Sequence, residues 1–152
     1  MKKSFKVYLP KWHYKLALIG SLIFSMVPII FCLVNGIDLA CIITFAILIA
    51  PFLIAALWSY RFRITVREDT ITVNPGIGKN YSFNINDITK VIRKVNLNTG
   101  LDTLVKITIY TKSKDVSVEY LMRGSNKFDR YIKEKVNPEK ISTKVKVFKN
   151  KQ

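Results

Sequence analysis

Two apolar runs interrupt an otherwise polar chain. Leu16 to Val34 reads LALIGSLIFSMVPIIFCLV, 19 residues without a charge. At 1.5 Å per residue it is about 28 Å long, close to the ~30 Å hydrocarbon thickness of a bilayer. Leu39 to Trp58, LACIITFAILIAPFLIAALW, is a second run of similar length, and only Asn35-Gly36-Ile37-Asp38 separates the two. Asn-Gly is a turn signal, and Asp38 suits the N-cap of the second helix. The pattern predicts a transmembrane helical hairpin over 16–60, with antiparallel helices at 16–34 and 39–58 and a loop at 35–38. Each run holds one proline, Pro28 and Pro51, read as a kink tolerated within a helix pair. Ser21/Ser25 and Ala46/Ala50 are small-residue pairs that permit close helix contact.

After Tyr60 the apolar period becomes two. Phe62, Ile64 and Val66 alternate with Arg61, Arg63, Thr65 and Arg67, then Ile71 and Val73 continue the apolar face across a turn at Glu68-Asp69. Asn74 to Asn80 is a Gly/Pro turn cluster, and Tyr81, Phe83 and Ile85 alternate again. Asn86-Asp87 opens ITKVIRKV, which fits a strand or a short helical turn, and Asn96 to Asp102 reads as a polar loop. Leu104–Thr111 and Asp115–Leu121 make a second hairpin around Lys112-Ser113-Lys114. Gly124-Ser125 is a break and a cap. Phe128, Tyr131, Ile132 and Val136 then recur at helical spacing until Asn137-Pro138. The N-terminal SFKVYLP, Ser4–Pro10, is either an added strand or a basic anchor. The tail segment Ile141–Phe148 either pairs as an edge strand or lies on lipid.

Composition changes this picture through its distribution. Residues 16–58 hold one charged side chain, Asp38, in a chain whose formal net charge is +15. Residues 1–15 hold five lysines and no acid, and residues 61–152 hold twenty basic against nine acidic residues, a net of +11. By the positive-inside rule, Lys2, Lys3, Lys6, Lys11 and Lys15 before the first run, with Arg61, Arg63 and Arg67 after the second, place both termini in the cytoplasm. The expectation is a multi-pass plasma-membrane protein with the loop 35–38 external. Trp12 with Tyr14, and Trp58 with Tyr60, fit an aromatic belt at the inner interface. The basic excess favours an anionic partner, and a domain held at a bilayer meets anionic lipid first. Nucleic acid is disfavoured, because no base-stacking aromatics interleave with the basic residues.

In order of parts, RITVREDTITVNPGIGKNYSF, NINDITKVIRKV, KITIYTKSKDVSVEYL and SNKFDRYIKEKV resemble the pleckstrin-homology-like (PH-like) domains of small bacterial membrane proteins. Asn86 stands where those domains carry a Trp or Tyr before the Asp-Ile pair. The resemblance covers residues 61–136. It implies an α+β membrane protein: the helical hairpin, then a small antiparallel β-barrel or sandwich capped by one C-terminal amphipathic helix. It implies no catalytic centre. On this reading 1–15 is a basic cytoplasmic segment, 61–136 the cytoplasmic PH-like domain and 137–152 a basic tail.

Candidate chemistry is sparse. His13, the single histidine, lies in PKWHYK without metal or catalytic partners in its neighbourhood. Gly76-Ile-Gly-Lys79 lacks the spacing of a phosphate loop, and the acids are scattered. No cofactor is expected. Cys32 and Cys41 flank the loop at similar depth, which suits either a disulfide or two packing thiols. The candidate contact residues for membrane or partner are basic: Arg61, Arg63 and Arg67 at the junction, Lys90, Arg93 and Lys94 in a second cluster, and Lys127, Arg130 and Lys133 along the last helix, with Trp12 and Trp58 at the interface. Two functions compete. One is a non-enzymatic, membrane-anchored interaction or scaffold module that binds a protein partner, a second copy of itself or anionic lipid. The other is a small membrane immunity or resistance protein acting through its transmembrane hairpin.

Overall fold

The computed structural model describes residues 4–36, 38–98 and 101–147, excepting the side chains of 35, 41, 97, 98, 101, 102 and 147. The chain divides into two compact units. A helical unit contains residues 9–62 with the segment 75–78, and a β unit contains the rest.

In the helical unit, α1 (Lys11–Asn35) and α2 (Leu39–Arg61) are long and apolar enough to cross a membrane. α1 starts five residues before its apolar run, directly after Pro10, and α2 continues three residues past its own through the Trp58–Tyr60 flank, while the ends at the loop fall within a residue of the runs. The helices pair antiparallel. Tyr14 meets Tyr60 edge-on at 5.8 Å, and Phe24 stacks on Phe52 at 4.9 Å. A Cβ at Gly20 would lie 3.0 Å from the Phe52 ring, so this glycine makes the close approach. The small pair Ala46/Ala50, which suits hairpin closure or contact with a second copy, is exposed and so does not close this hairpin. Burial is slight: 6% and 11% of the apolar windows in the two helices, so their hydrocarbon faces outward rather than into a protein core. Cys32 is a free thiol, whereas the side chain of Cys41 lies outside the described residues. At Gly76 φ is +83°, and an added Cβ would fall 2.7 Å from the Trp58 carbonyl oxygen, so only glycine fits there.

The β unit contains two four-stranded sheets. The first has the order β1 (Ser4–Tyr8), β2 (Arg63–Arg67), β3 (Thr70–Asn74), β4 (Tyr81–Asn84), all antiparallel. Ser4–Tyr8 therefore joins the sheet, and the helical hairpin is inserted between two neighbouring strands. Its two connections leave from the paired residues Tyr8 and Arg63. Val7, Ile64 and Val73 form one buried cross-strand row, and Val66, Ile71 and Phe83 another.

The second sheet has the order β7 (Asp115–Glu119), β6 (Leu101–Thr111), β5 (Ile88–Asn98), β8 (Ile141–Val147). Of the segment expected to be a polar loop, 96–102, the described residues instead extend the two strands: Asn96 pairs with Thr103 and Leu97 with Asp102, and 99–100 lie outside the described residues. The tail returns as β8, parallel to β5 over seven residue pairs. A 3-10 turn, Ile85–Asp87, links the sheets, closed by Asn84 and Asp87 in a reciprocal capping box.

The two sheets do not close into a barrel. The edge strand β1 meets the segment after β7 at an isolated bridge, Tyr8 to Arg123, and the last helix through Phe5 edge-on to Tyr131 at 5.6 Å, while β4 reaches β7 through the Tyr81 hydroxyl donating to the Asp115 carbonyl at 3.3 Å. Without a continuous ladder on either side there are true edges. The core lies among the buried sheet faces and α3 (Ser125–Lys135), whose Phe128 and Ile132 are fully buried. Burying each of these contributes about 1.5–3 kcal/mol. Gly124, not Ser125, is the N-cap; its φ is +88°, and a Cβ would fall 2.5 Å from the Lys6 carbonyl oxygen. The Ser125 hydroxyl donates back to Tyr120 O at 3.0 Å.

Candidate functional site

Strand alternation sorts the basic residues. On β5, Val91 and Val95 are buried, and Arg93 between them points to the same inner face. Lys90 and Lys94 point the other way, so the sequence cluster Lys90-Arg93-Lys94 is split between two faces. From the inner face the Arg93 fork reaches α3. Nε donates to Asp129 Oδ1 at 2.7 Å and a terminal nitrogen to Oδ2 at 3.0 Å, while the other terminal nitrogen donates to Thr143 Oγ1 on β8 at 3.2 Å. Both side chains of the pair are mostly buried, 12% and 14% exposed. Lys133, one turn after Asp129, adds a second ion pair at 3.1 Å. This bidentate geometry fixes three elements, β5, α3 and β8, around one carboxylate.

Beside the pair opens a groove of about 470 Å³, lined by Val95, Leu104, Arg93 and the α3 residues Asn126, Asp129, Arg130 and Lys133. Val95 and Leu104 are a cross-strand pair and make an apolar floor. Three cations against one carboxylate leave the lining with an excess of two positive charges. Arg130 is exposed and makes no ion pair among the described residues. The groove thus joins Arg93, Arg130 and Lys133, drawn from two separate stretches of sequence. Asn126 and Asp129 are part of the same lining, yet only the pairing of β5 against α3 makes them visible. Among the described residues no cluster of His, Cys, Asp and Glu suits a metal ion. The lining contains no nucleophile beside a base. Its chemistry is that of holding an anionic group: a planar arginine fork, a flexible ammonium and an amide over an apolar floor.

The other basic candidates lie elsewhere. Arg61 ends α2 rather than sharing a strand face with Arg63 and Arg67, which are exposed together on β2. Lys127 is exposed on α3 outside the groove lining. Trp12 and Trp58 belong to the helical unit, 49% and 40% exposed, with Trp12 stacked on His13 at 4.0 Å. A second contact of α3 sits at the β2–β3 turn. Glu68 there has φ +52°, unusual for a residue with a side chain. Its carbonyl accepts from the Tyr131 hydroxyl at 2.6 Å, and Lys135 pairs with Asp69 at 3.0 Å. Burial, then the nearby Asp69, pushes the Tyr131 hydroxyl up to about 12.

These features define an α+β protein with two long apolar helices, two β-sheets and a C-terminal-half helix over a basic groove. The chain belongs to DUF6560, a family of unknown function, whose model matches residues 3–141. No curated protein and no solved structure matches it.

Proposed function

We propose that this chain is a non-enzymatic, membrane-anchored interaction module. The helices span the plasma membrane, the β unit is a PH-like domain on the cytoplasmic side, and the groove beside α3 receives an acidic segment of a partner protein. The observation that carries the reading is the insertion of two outward-facing apolar helices between paired strands β1 and β2. A hairpin whose two connections leave from neighbouring residues of one sheet has both of those ends on one side of any bilayer it crosses. The lysines and arginines at those ends favour the cytoplasm. Arg130 at the groove, without an ion pair among the described residues, supplies the charge for an acidic ligand, and two sheets with one helix, α3, packed on them support the PH-like assignment.

The test is topological. In a background lacking Cys32 and Cys41, Asp38→Cys is expected to react with a membrane-impermeant thiol reagent on intact cells, and Lys112→Cys only after lysis. The opposite pattern, or release of the chain from membranes by alkaline carbonate, overturns the reading.

A further inference from the structure

The outer face of the second sheet carries a row of lysines without ion-pair partners among the described residues. Register places Lys144 of β8 opposite Lys94 of β5, and Lys94 opposite Lys106 of β6. Paired residues share a face, and neighbouring strands lie about 4.8 Å apart, so three ammonium groups line up across three strands. Lys90 stands on the same face two pleats along β5. None of these four lysines makes an ion pair among the described residues. The row ends at Glu119 on β7, opposite Lys106 but not in ion-pair contact with it.

Like charges directly opposite one another destabilise a sheet. Lysine on an edge strand guards against edge-to-edge pairing, which accounts for Lys144 on β8. It does not account for Lys94 and Lys106, because β5 and β6 are interior strands. In the adjacent row Thr108 and Ser117 hydrogen-bond at 3.2 Å beside Ile92, and the row of Lys90 continues through Tyr110 to Asp115. The described groove opens on the inner side of β5, not here. The result is a largely polar sheet face on which Lys90, Lys94, Lys106 and Lys144 outnumber Asp115 and Glu119.

We infer that this face docks on anionic phospholipid headgroups of the leaflet that the domain faces. Flexible ammonium groups spread across a sheet face suit a fluid layer of phosphates better than they suit one ligand needing a bidentate fork. A tether in the same bilayer keeps the surface at high effective concentration. Acidic protein and nucleic acid are the competing anions. The face offers neither an apolar anchor pocket for the first nor a run of exposed stacking aromatics for the second. The inference rests on the proposal that the helices span a membrane.

The test uses the full chain in vesicles, with Cys32 and Cys41 replaced and a fluorophore placed through Ser117→Cys. Vesicles are phosphatidylcholine alone or mixed with phosphatidylglycerol, each with a headgroup-attached quencher. Three lysines near an anionic surface shift the docked-to-undocked ratio on the order of a hundredfold. Quenching is therefore expected in the anionic vesicles, weak in the neutral ones, and lost at high salt. The triple variant Lys94→Gln, Lys106→Gln, Lys144→Gln is expected to behave as in neutral vesicles, while Arg63→Gln with Arg67→Gln leaves quenching unchanged. The Gln variants remove repulsion and so do not threaten folding. Equal quenching in both lipids, or quenching that survives the triple variant, overturns the inference. Flotation with the vesicles after carbonate separates the two proposals: a chain that floats without lipid-dependent quenching refutes docking alone, and one that fails to float refutes the anchor.

Discussion

Arg93 and Lys94 are adjacent in the chain and have opposite fates on the two faces of one sheet. Arg93 is turned inward, mostly buried, and gripped by Asp129 in two hydrogen bonds. Lys94 is exposed in a row of its own kind without a carboxylate partner among the described residues. One charge holds the domain together, and the other strains it slightly and offers it outward. Net charge predicted basic surface, but strand register decides which cations are built into the architecture and which stay exposed.

The inner face depends most on the side chains at its centre. Phe128 is fully buried where α3 meets the sheets, so Phe128→Ala is expected to cost about 3–5 kcal/mol. Amide hydrogen exchange of the full chain in detergent is the measurement, because it reports the β unit separately from the helices. Protection in β5, β6 and α3 falls together, while α1 and α2 keep theirs. Unchanged protection in the β unit would show that α3 is not part of its core.

The same measurement sharpens the contrast between neighbours. Arg93→Ala leaves Asp129 mostly buried with only Lys133 to compensate it, and is expected to cost about 2 kcal/mol. Lys94→Ala removes a cation that only repels its neighbours, and is expected to change stability by less than about 0.5 kcal/mol, in the stabilising direction. Equal losses for the two would erase the distinction between the faces.

Much of this architecture was legible in the sequence where the signal is local. The uninterrupted hydrocarbon of 16–34 and 39–58 marks the helices, and the alternation of Ile64, Val66, Ile71 and Val73 marks the first hairpin. Phe128 and Ile132 mark the inner face of α3, and buried Val136 follows at its C-cap. What escaped depends on pairing between distant segments. Nothing in SFKVY says that it will lie beside a strand nearly sixty residues later in the chain, and nothing in ISTKVKV says that it will run parallel to β5. Asn96–Asp102 is polar, so alternation fades although the ladder continues. The groove was half legible for the same reason. Its basic residues could be named, but Asp129 looks like an ordinary helix-surface acid until Arg93 arrives from β5.

The contact of α3 with the β2–β3 turn gives the smallest and most specific effect. Tyr131 donates to the Glu68 carbonyl, and burial, then Asp69, holds its hydroxyl near 12 against an ordinary value of 10.0. The sign follows from proton uptake. Between pH 10 and 12 the unfolded chain has released this proton while the folded chain still binds it. The contribution of Tyr131 is therefore complete below about pH 10 and is lost as pH rises toward 12. Tyr131→Phe is expected to flatten the fall in urea midpoint over that window relative to wild type. It also removes a late-ionising tyrosine from the phenolate absorbance titration. Tyr81, raised by burial and then by Asp115, remains as an internal reference on the β4–β7 side. An identical alkaline slope in Tyr131→Phe would mean that the hydroxyl does not hold the turn, and that Lys135 with Asp69 is what fastens α3 to it.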